Sequence, residues 1–310
     1  MKLLLITLLL LIITFIGVKS QPESLYYINL DDGVFQLTEF DVATGDLTKT
    51  MMPTVSKDYS IYSILTIDSD NNFVILCEQD YKDREALVII TVSSSGEFIN
   101  STEPVLVIQE TETYWFFNSA QYDAKSNIVY VGGQVNFYSE VILVYNFDTL
   151  KASVINVTSI AGQQVSGCMI SDIYYLMEVS GSTNYTIDTY DINQKSLSTV
   201  TVDGLPQDTT CYTICANNQV YITAFSYETQ GELSVLQIDL QTGEASKIYE
   251  SSSNVVSSYN YWAVENYFTQ MVQINSQYYL ITIDLNTSKV VYQVEITKLF
   301  VVNPLASYLQ

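Results

Sequence analysis

The sequence predicts an all-β fold, a six-bladed β-propeller of four-stranded antiparallel blades. Three observations lead to this prediction. Runs rich in Val, Ile, Tyr, Phe and Thr follow residue 20 and are bounded by Asn, Asp, Ser and Gly, a pattern typical of strands and turns. One phrase of the sequence recurs about every 48 residues. The first unit also lacks one strand and surplus strand-like residues follow the last unit, as a closed ring requires.

The recurring phrase is a strand that ends in an apolar residue and Asp, followed by a short polar turn and another strand. Clear copies begin at Phe40-Asp41, Tyr190-Asp191, Ile238-Asp239 and Ile283-Asp284, and weaker copies at Val92 and Asp148. The six units are anchored near residues 41, 92, 148, 191, 239 and 284, at intervals of 51, 56, 43, 48 and 45 residues. Loops of varying length would give this scatter.

Each unit contains four strand-like runs, which we letter a to d. In the fifth unit they are residues 211–215, 220–226, 233–240 and 245–249. Four antiparallel strands in each repeat are typical of propeller blades. The alternatives are two stacked β-sandwiches, or a seventh blade hidden in the long second and third units.

The ends of the chain indicate a closed ring. The first unit lacks strand a and starts with strand b at 25–30, then c at 35–42 and d near Leu47. The sixth unit ends near Ile296, yet the apolar residues 299–302 and 305–309 follow. This surplus would supply strand a of the first blade and remove the exposed sheet edges. We therefore predict a single propeller domain over residues 21–310.

The Asp-x-x-Thr-Gly turn, at Asp41 to Gly45 and Asp239 to Gly243, resembles the blade turns of YVTN-type and quinoprotein-like propellers. The resemblance covers residues 21–310 at the level of architecture. Its motif is structural, because Asp bonds its own turn backbone and Gly tolerates a positive φ. Quinone-cofactor members carry a tryptophan-docking pattern in each blade, whereas this chain has only Trp115 and Trp262. The resemblance thus implies no cofactor and transfers no function.

Residues 1–20 have the three parts of a secretory signal peptide. Lys2 is the positive start, residues 3–16 are apolar, and Val18 and Ser20 are the small residues before the cut. The apolar run is too short to span a bilayer, and an uncleaved anchor is the alternative. We expect a mature chain from Gln21 that is secreted, or held in the endomembrane lumen, without membrane insertion.

The charge of the chain excludes one class of partner. Removal of Lys2 and Lys19 leaves 10 basic residues against 34 acidic ones, a net charge of −24. Such a chain repels phosphate backbones, so we expect no nucleic-acid partner. Anionic membrane surfaces are equally poor partners.

Two features agree with an oxidising compartment. The first is a set of Asn-x-Ser/Thr glycosylation acceptors at Asn100, Asn156, Asn184 and Asn286. The second is a set of disulfide candidates, Cys168, Cys211 and Cys215. Cys211 and Cys215 would lie about 13 Å apart on one strand, too far for a bridge. Pairing of Cys168 with one of them is the reasonable choice, and buried free thiols are the alternative.

The chain contains no histidine. This excludes Ser-His-Asp and Cys-His catalysis and every His-ligated metal site, so the sequence favours a protein that is not an enzyme. Carboxylates alone can hydrolyse glycosides. They can also bind calcium, and the local candidate is Asp68, Asp70 and Asn72. This segment falls where the turn between strands a and b belongs, so the preference of Asp and Asn for turns explains it better than calcium binding does. We expect no cofactor.

The candidate ligand-binding residues are aromatic and begin the units: Tyr114, Trp115, Tyr212, Tyr259, Tyr261 and Trp262. Aromatic rings beside b–c loop acids, Glu140 among them, would stack on the apolar faces of sugars. The alternative is that these rings belong to the core between blades.

Three functions remain. The first is a secreted or cell-surface binding glycoprotein that recognises a glycan or an extracellular protein. The second is a carboxylate-only carbohydrate-active enzyme, and the third is a structural glycoprotein of an extracellular coat or matrix. The absence of catalytic groups places the binding protein first.

Overall fold

The structure is a computed structural model that describes residues 21–31, 34–56, 58–82, 84–107, 113–115, 120–123, 125–135, 139–159, 163–180, 184–205, 209–226, 231–251, 255–296 and 306–309. In this part of the chain the regular structure is β-strand, with no helix that could cross a membrane. The strands form six antiparallel sheets arranged in a ring. The prediction of a six-bladed β-propeller is therefore confirmed. The predicted signal peptide, residues 1–20, lies outside the described residues.

The blades follow one another along the chain, each with a simple meander of strands. Blade 1 contains β1 (Ser24–Asp31), β2 (Val34–Asp41) and β3 (Leu47–Met51). Blade 2 contains β4 (Tyr59–Ile67), β5 (Phe73–Tyr81), β6 (Arg84–Val92) and β7 (Phe98–Ser101), with β8 (Leu106–Val107) also paired to β6. Blade 3 contains β9 (Thr113–Trp115), β10 (Gln121–Asp123), β11 (Ile128–Val135), β12 (Ser139–Asn146) and β13 (Lys151–Ser159).

The last three blades have four strands each. Blade 4 contains β14 (Gln163–Ile170), β15 (Ile173–Ser180), β16 (Asn184–Asp191) and β17 (Ser196–Val202). Blade 5 contains β18 (Thr209–Ala216), β19 (Gln219–Ser226), β20 (Leu233–Ile238) and β21 (Ala245–Glu250). Blade 6 contains β22 (Val255–Val264), β23 (Tyr267–Ile274), β24 (Gln277–Asp284) and β25 (Lys289–Ile296).

The last strand of the chain, β26 (Ala306–Leu309), closes the ring. It pairs antiparallel with β1, with Leu25 opposite Leu309 and Ile28 opposite Ala306. Blade 1 therefore has strands from both ends of the chain, in the order β26-β1-β2-β3. This is the closure that the surplus C-terminal residues predict.

Blades 2 and 3 depart from the regular pattern. In blade 2 the outer strand is split into β7 and β8, which both pair with β6. In blade 3 the inner strand is split, because β9 and β10 both pair with β11. The extra residues of these two long units are therefore taken up by interrupted strands, and the blade count stays at six.

The recurring turn joins strands c and d of each blade. In blade 1 the Asp41 carboxylate accepts hydrogen bonds from the backbone N–H groups of Ala43 and Thr44, at 2.9 and 2.8 Å. In blade 3 this role falls to Asn146, whose side-chain oxygen accepts from Thr149 N–H at 2.8 Å. The anchor of the third unit thus lies two residues before the Asp148 that the sequence suggested, since Asn can make the same turn bond as Asp.

The hydrophobic core is divided into layers between adjacent blades, which we call seams. Between blades 3 and 4 the seam contains Tyr130, Ile142, Tyr174, Leu176 and Tyr190, all buried. Between blades 6 and 1 the seam includes Tyr27, whose ring packs edge to face on Trp262 with centroids 5.4 Å apart. Because strand side chains alternate between the two sheet faces, each blade contributes to two seams.

A disulfide and a hydrogen bond join blades 4 and 5 at their inner strands. Cys168 on β14 is bonded to Cys215 on β18, with a Cα–Cα distance of 5.6 Å. Two residues earlier on each strand, the hydroxyls of Ser166 and Thr213 lie 2.8 Å apart. Cys211, the other disulfide candidate, is a buried free thiol. Each linked pair is 47 residues apart, and both contacts join the inner strand of one blade to the inner strand of the next.

We expect Gly243→Ala to destabilise the protein by about 2–3 kcal/mol. Gly243 has a φ of +81°, and a Cβ there would lie 1.9 Å from the Thr201 carbonyl oxygen of the preceding blade. Lys195, at the same turn position of blade 4, already has a φ of +52°. The control Lys195→Ala should change stability by less than about 0.5 kcal/mol. Urea unfolding of both variants measures the difference, and equal midpoints would contradict this account of the turn.

We expect the double variant Cys168→Ser/Cys215→Ser to lose about 4 kcal/mol of unfolding free energy, because the bridge closes a loop of 47 residues. Peptide mapping of the oxidised protein should find these two cysteines linked. Cys77 and Cys211 are buried and unbridged, so they should react with an alkylating reagent only after unfolding. A map that links Cys211 instead would show that the pairing is wrong.

Candidate functional site

Two of the predicted aromatic residues are brought together by the inner strands of blades 5 and 6. Tyr212 on β18 and Tyr261 on β22 have ring centroids 5.2 Å apart and an interplanar angle of 33°. Both side chains are half-buried. The hydroxyl of Tyr261 is buried without a hydrogen-bond partner in the described structure, and this burial raises its pKa above the usual range. The pair lies at a seam and offers limited ring surface to a ligand.

The remaining aromatic candidates are not gathered with this pair. Trp262 is 9% exposed and lies in the seam between blades 6 and 1, against Tyr27. This is the core position that the alternative interpretation of the aromatic residues describes. Tyr114 and Trp115 lie in β9 and Tyr259 in β22, while their side chains are outside the described part of the structure.

The predicted calcium segment forms an a–b turn between β4 and β5. The Asp68 carboxylate accepts from the backbone N–H groups of Asp70 and Asn72, at 2.9 and 2.8 Å, and from the Asn72 side-chain amide at 3.0 Å. Desolvation is the largest single effect on this carboxyl group and raises its pKa, but the three hydrogen bonds together outweigh it, so the pKa of Asp68 is lowered. The turn itself already satisfies the carboxylate oxygens. Turn chemistry therefore accounts for the segment without an ion.

The four glycosylation acceptors are all exposed. Asn100 and Asn156 lie on strand d of blades 2 and 3. Asn184 begins strand c of blade 4, next to a b–c loop, and Asn286 lies in the c–d turn of blade 6.

Three acids that the sequence prediction did not group together meet in the seam between blades 3 and 4. They are Glu140 on β12, Glu178 on β15 and Asp188 on β16, and each offers a carboxylate oxygen within 4.8 Å of the other two. Their exposed fractions are 0%, 7% and 4%, respectively. We call them the acid cluster. Among the described residues, both oxygens of Glu140 and one of Glu178 have no hydrogen-bond partner.

The backbone register explains why these side chains converge. Leu176 is opposite Asp188 and Glu178 is opposite Thr186, so Glu178 and Asp188 share the face of blade 4 that carries Leu176 into the seam. On β12, Glu140 lies two residues before Ile142, which packs in the same seam. The acid cluster is therefore a continuation of this apolar layer, toward the b–c loops.

The repeat shows how unusual these acids are. With units aligned on the c–d turn, the other blades place an apolar or aromatic residue where blade 3 has Glu140. These residues are Phe35, Leu87, Tyr185, Leu233 and Tyr278. The equivalents of Asp188 are Thr38, Ile90, Leu143, Leu236 and Ile281. Two positions that are mostly apolar in the other blades thus carry carboxylates at a single seam.

Burial governs the ionisation of the acid cluster. Desolvation is the largest cause that raises the pKa of Glu140, followed by Glu178 and then Asp188. Burial likewise raises the pKa of Glu178 and of Asp188. Asp188 is partly compensated, because the Thr199 hydroxyl donates to its Oδ1 at 2.5 Å. Among the described residues, no Lys or Arg lowers the raised pKa of any of the three acids. Ionisation of all three carboxyl groups at once is therefore unfavourable unless a positive charge lies between them.

A sugar cannot reach the acid cluster through the described structure, because less than a tenth of each acid is exposed. Glycoside hydrolysis needs two carboxyl groups that flank the bond to be cleaved. The three acids form the tight constellation that this chemistry would require, but they are packed between blades. Their arrangement suits a bound proton or a small cation better than an organic substrate.

Comparison with known proteins finds similarity of fold. No family model and no curated protein matches the chain. A chain of the nidogen/laminin complex is similar at 10% identity and a TM-score of 0.53, over 87% of this chain and 92% of that chain. TolB from Acinetobacter baumannii is similar at 12% identity and a TM-score of 0.56, over 93% of this chain and 70% of that chain.

A prolyl endopeptidase structure is similar at 9% identity and a TM-score of 0.52, over 88% of this chain and 42% of that chain. Identities near 10% show a shared propeller fold and no shared chemistry.

We expect the stability of the chelator-treated protein to fall as the pH rises from about 4.5 to 8. The folded pKa of Glu140 is raised above 4.5, so the folded protein keeps a proton that the unfolded chain releases. The stabilisation is complete below the unfolded pKa and is lost as the pH rises, by at most about 1.4 kcal/mol per pH unit for each group. Urea unfolding at several pH values measures the slope.

Glu140→Gln should flatten this slope, because an amide does not titrate. Glu97→Gln, at an exposed position of a c–d turn, controls for the loss of one negative charge from an acidic protein. Equal slopes in the two variants would contradict the assignment of the pH dependence to the acid cluster.

Proposed function

We propose that the protein is a secreted, glycosylated binding protein that recognises an extracellular protein through the loops of one face of the propeller. That face is the end of the ring that carries the b–c loops, and we call it the loop face. The repeat type of YVTN-like or quinoprotein-like propellers, suggested by the c–d turn, is part of this proposal.

The observation that carries the proposal is the closed ring of six blades. A closed sheet ring is rigid and positions several loops side by side, and binding residues are commonly found on loops held by such a scaffold. The chain from the nidogen/laminin complex supports a protein partner, since it matches over most of both chains and its structure is that of a complex.

Other observations agree with a binding protein in the secretory pathway. The chain begins with the pattern of a signal peptide and has four exposed glycosylation acceptors. It contains no histidine. The one tight group of acids among the described residues is buried, which disfavours the carboxylate-only enzyme.

A glycan is the second candidate ligand, and the adjacent rings of Tyr212 and Tyr261 are the observation that favours it. Sugar faces stack on such rings. The double variant Tyr212→Ala/Tyr261→Ala removes both rings, and its melting temperature checks that the fold is kept.

The test is binding of the secreted protein to a glycan array and to a panel of purified extracellular-matrix proteins, laminin among them. We expect a specific hit on the protein panel. The double variant Asp80→Lys/Glu85→Lys should weaken that binding by about tenfold or more, because these exposed acids flank the b–c turn of blade 2.

The matched control is Glu97→Lys, in the c–d turn at the opposite end of the same blade. It should leave the affinity within about twofold. Equal losses in both variants would reject the loop face. A hit on the glycan array alone, lost in the tyrosine double variant, would replace the protein partner with a sugar.

A further inference from the structure

The Glu140 carboxylate is the most unusual polar group in the described structure. It is 0% exposed, neither oxygen has a hydrogen-bond partner, and it points toward Glu178 and Asp188. An ionised carboxylate that is buried without a partner costs several kcal/mol. A proton or a bound cation must therefore offset this cost.

Among the described residues of blades 3 and 4, no basic side chain lies at the acid cluster. Blades 3 and 4 contain three basic residues, Lys125, Lys151 and Lys195. All three are exposed and lie at a–b or c–d turns, whereas Glu140 and Glu178 lie near the b–c loops. The segments of these blades outside the described structure add no Lys or Arg. The basic residues of blades 3 and 4 therefore supply no ion pair to the acid cluster.

The spacing of the three acids matches a single metal ion. The nearest oxygens of the three carboxyl groups lie within 4.8 Å of one another, so a point at their centre is about 2.8 Å or less from each. Calcium–oxygen distances are 2.3–2.6 Å, and side-chain adjustments of a few tenths of an ångström bring the oxygens to that range.

We propose that Glu140, Glu178 and Asp188 bind one calcium ion in the seam between blades 3 and 4. Three carboxylates provide up to six oxygen ligands, and calcium accepts six to eight in flexible geometry. Magnesium keeps several waters and requires near-octahedral geometry, which a packed seam does not favour. Zinc prefers nitrogen and sulfur ligands, and the cluster has neither.

A neighbouring hydroxyl supports the site from outside. Thr199 on β17 lies directly opposite Asp188 and donates to its Oδ1. Hydrogen bonds of this kind orient carboxylates that bind metals. The ion would connect β12 of one blade to β15 and β16 of the next, and would hold this seam as the disulfide holds the seam between blades 4 and 5. This inference does not depend on the identity of any binding partner.

The experiment uses the full mature protein, purified from a secretory host and stripped with a chelator. We expect calcium to raise the melting temperature by about 5 °C or more when it is present at about 100 times its Kd. Calorimetric titration should give one calcium per chain. Terbium, a luminescent substitute for calcium, should be sensitised by the nearby tyrosines Tyr174 and Tyr190.

The test variant is Glu140→Gln/Glu178→Gln, which should lose both the calcium response and the terbium signal. Without metal this variant should melt higher than the stripped native protein, because two buried carboxyl groups become neutral. Its matched control is Glu78→Gln, on strand b of blade 2 and one residue from Cys77, which is the position equivalent to Glu178. Glu78 is half-buried and accepts from the Tyr62 hydroxyl at 2.8 Å, so its loss should leave the calcium response unchanged.

Three results would overturn the proposal. One is the absence of any thermal shift at calcium concentrations of about 1 mM, the range of weak extracellular sites. The second is a shift that persists in Glu140→Gln/Glu178→Gln, which would place the ion elsewhere. The third is an equal response to magnesium, which would contradict the choice of calcium. If the double variant does not fold, Asp188→Asn and terbium titration of the native chain decide the same question.

Discussion

The pairing of β26 with β1 is the interaction on which the rest of the structure depends. Four C-terminal residues close a ring that begins at Ser24. Without this pairing β1 would present an unpaired edge, and the layer between blades 6 and 1, which contains Tyr27 and Trp262, would lose one of its boundaries. Closure also makes all six seams interdependent, because a ring cannot widen at one seam without compressing or opening another.

This interdependence gives polar contacts between blades a role beyond their individual strengths. The bridge between Cys168 and Cys215 joins blades 4 and 5, and the hydrogen bond between Thr223 and Gln270 joins blades 5 and 6. The acid cluster also spans two blades, but its members are alike in charge. Carboxylates repel one another, so they hold two blades together only when a proton or a cation lies between them. The seam between blades 3 and 4 is therefore the one whose cohesion responds to ions and protons.

The sequence predicts the fold well and the acid cluster poorly, for related reasons. Strand periodicity and the c–d turn are local signals repeated six times, so errors in one unit do not change the architecture. The cluster depends on alignment between units. If the c–d turn of the third unit is aligned at Asp148 rather than Asn146, Glu140 is placed in the b–c loop instead of in strand c. It then resembles any other acidic loop residue. The hydrogen bond from Thr149 N–H to Asn146 shows that the turn is aligned at Asn146. This alignment places Glu140 in strand c, at a position that is apolar or aromatic in the other blades.

The acid cluster also has a consequence for the loop face. Glu140 is the second residue of β12, and Glu178 lies two residues before the end of β15. At about 3.3 Å per residue, both are within about 7 Å of the b–c loops of their blades. The proton or cation that neutralises the acid cluster therefore sets the distance between these two b–c loops. A partner that contacts both loops would bind a geometry set by the seam beneath them, so proton or ion occupancy and partner affinity would be thermodynamically linked.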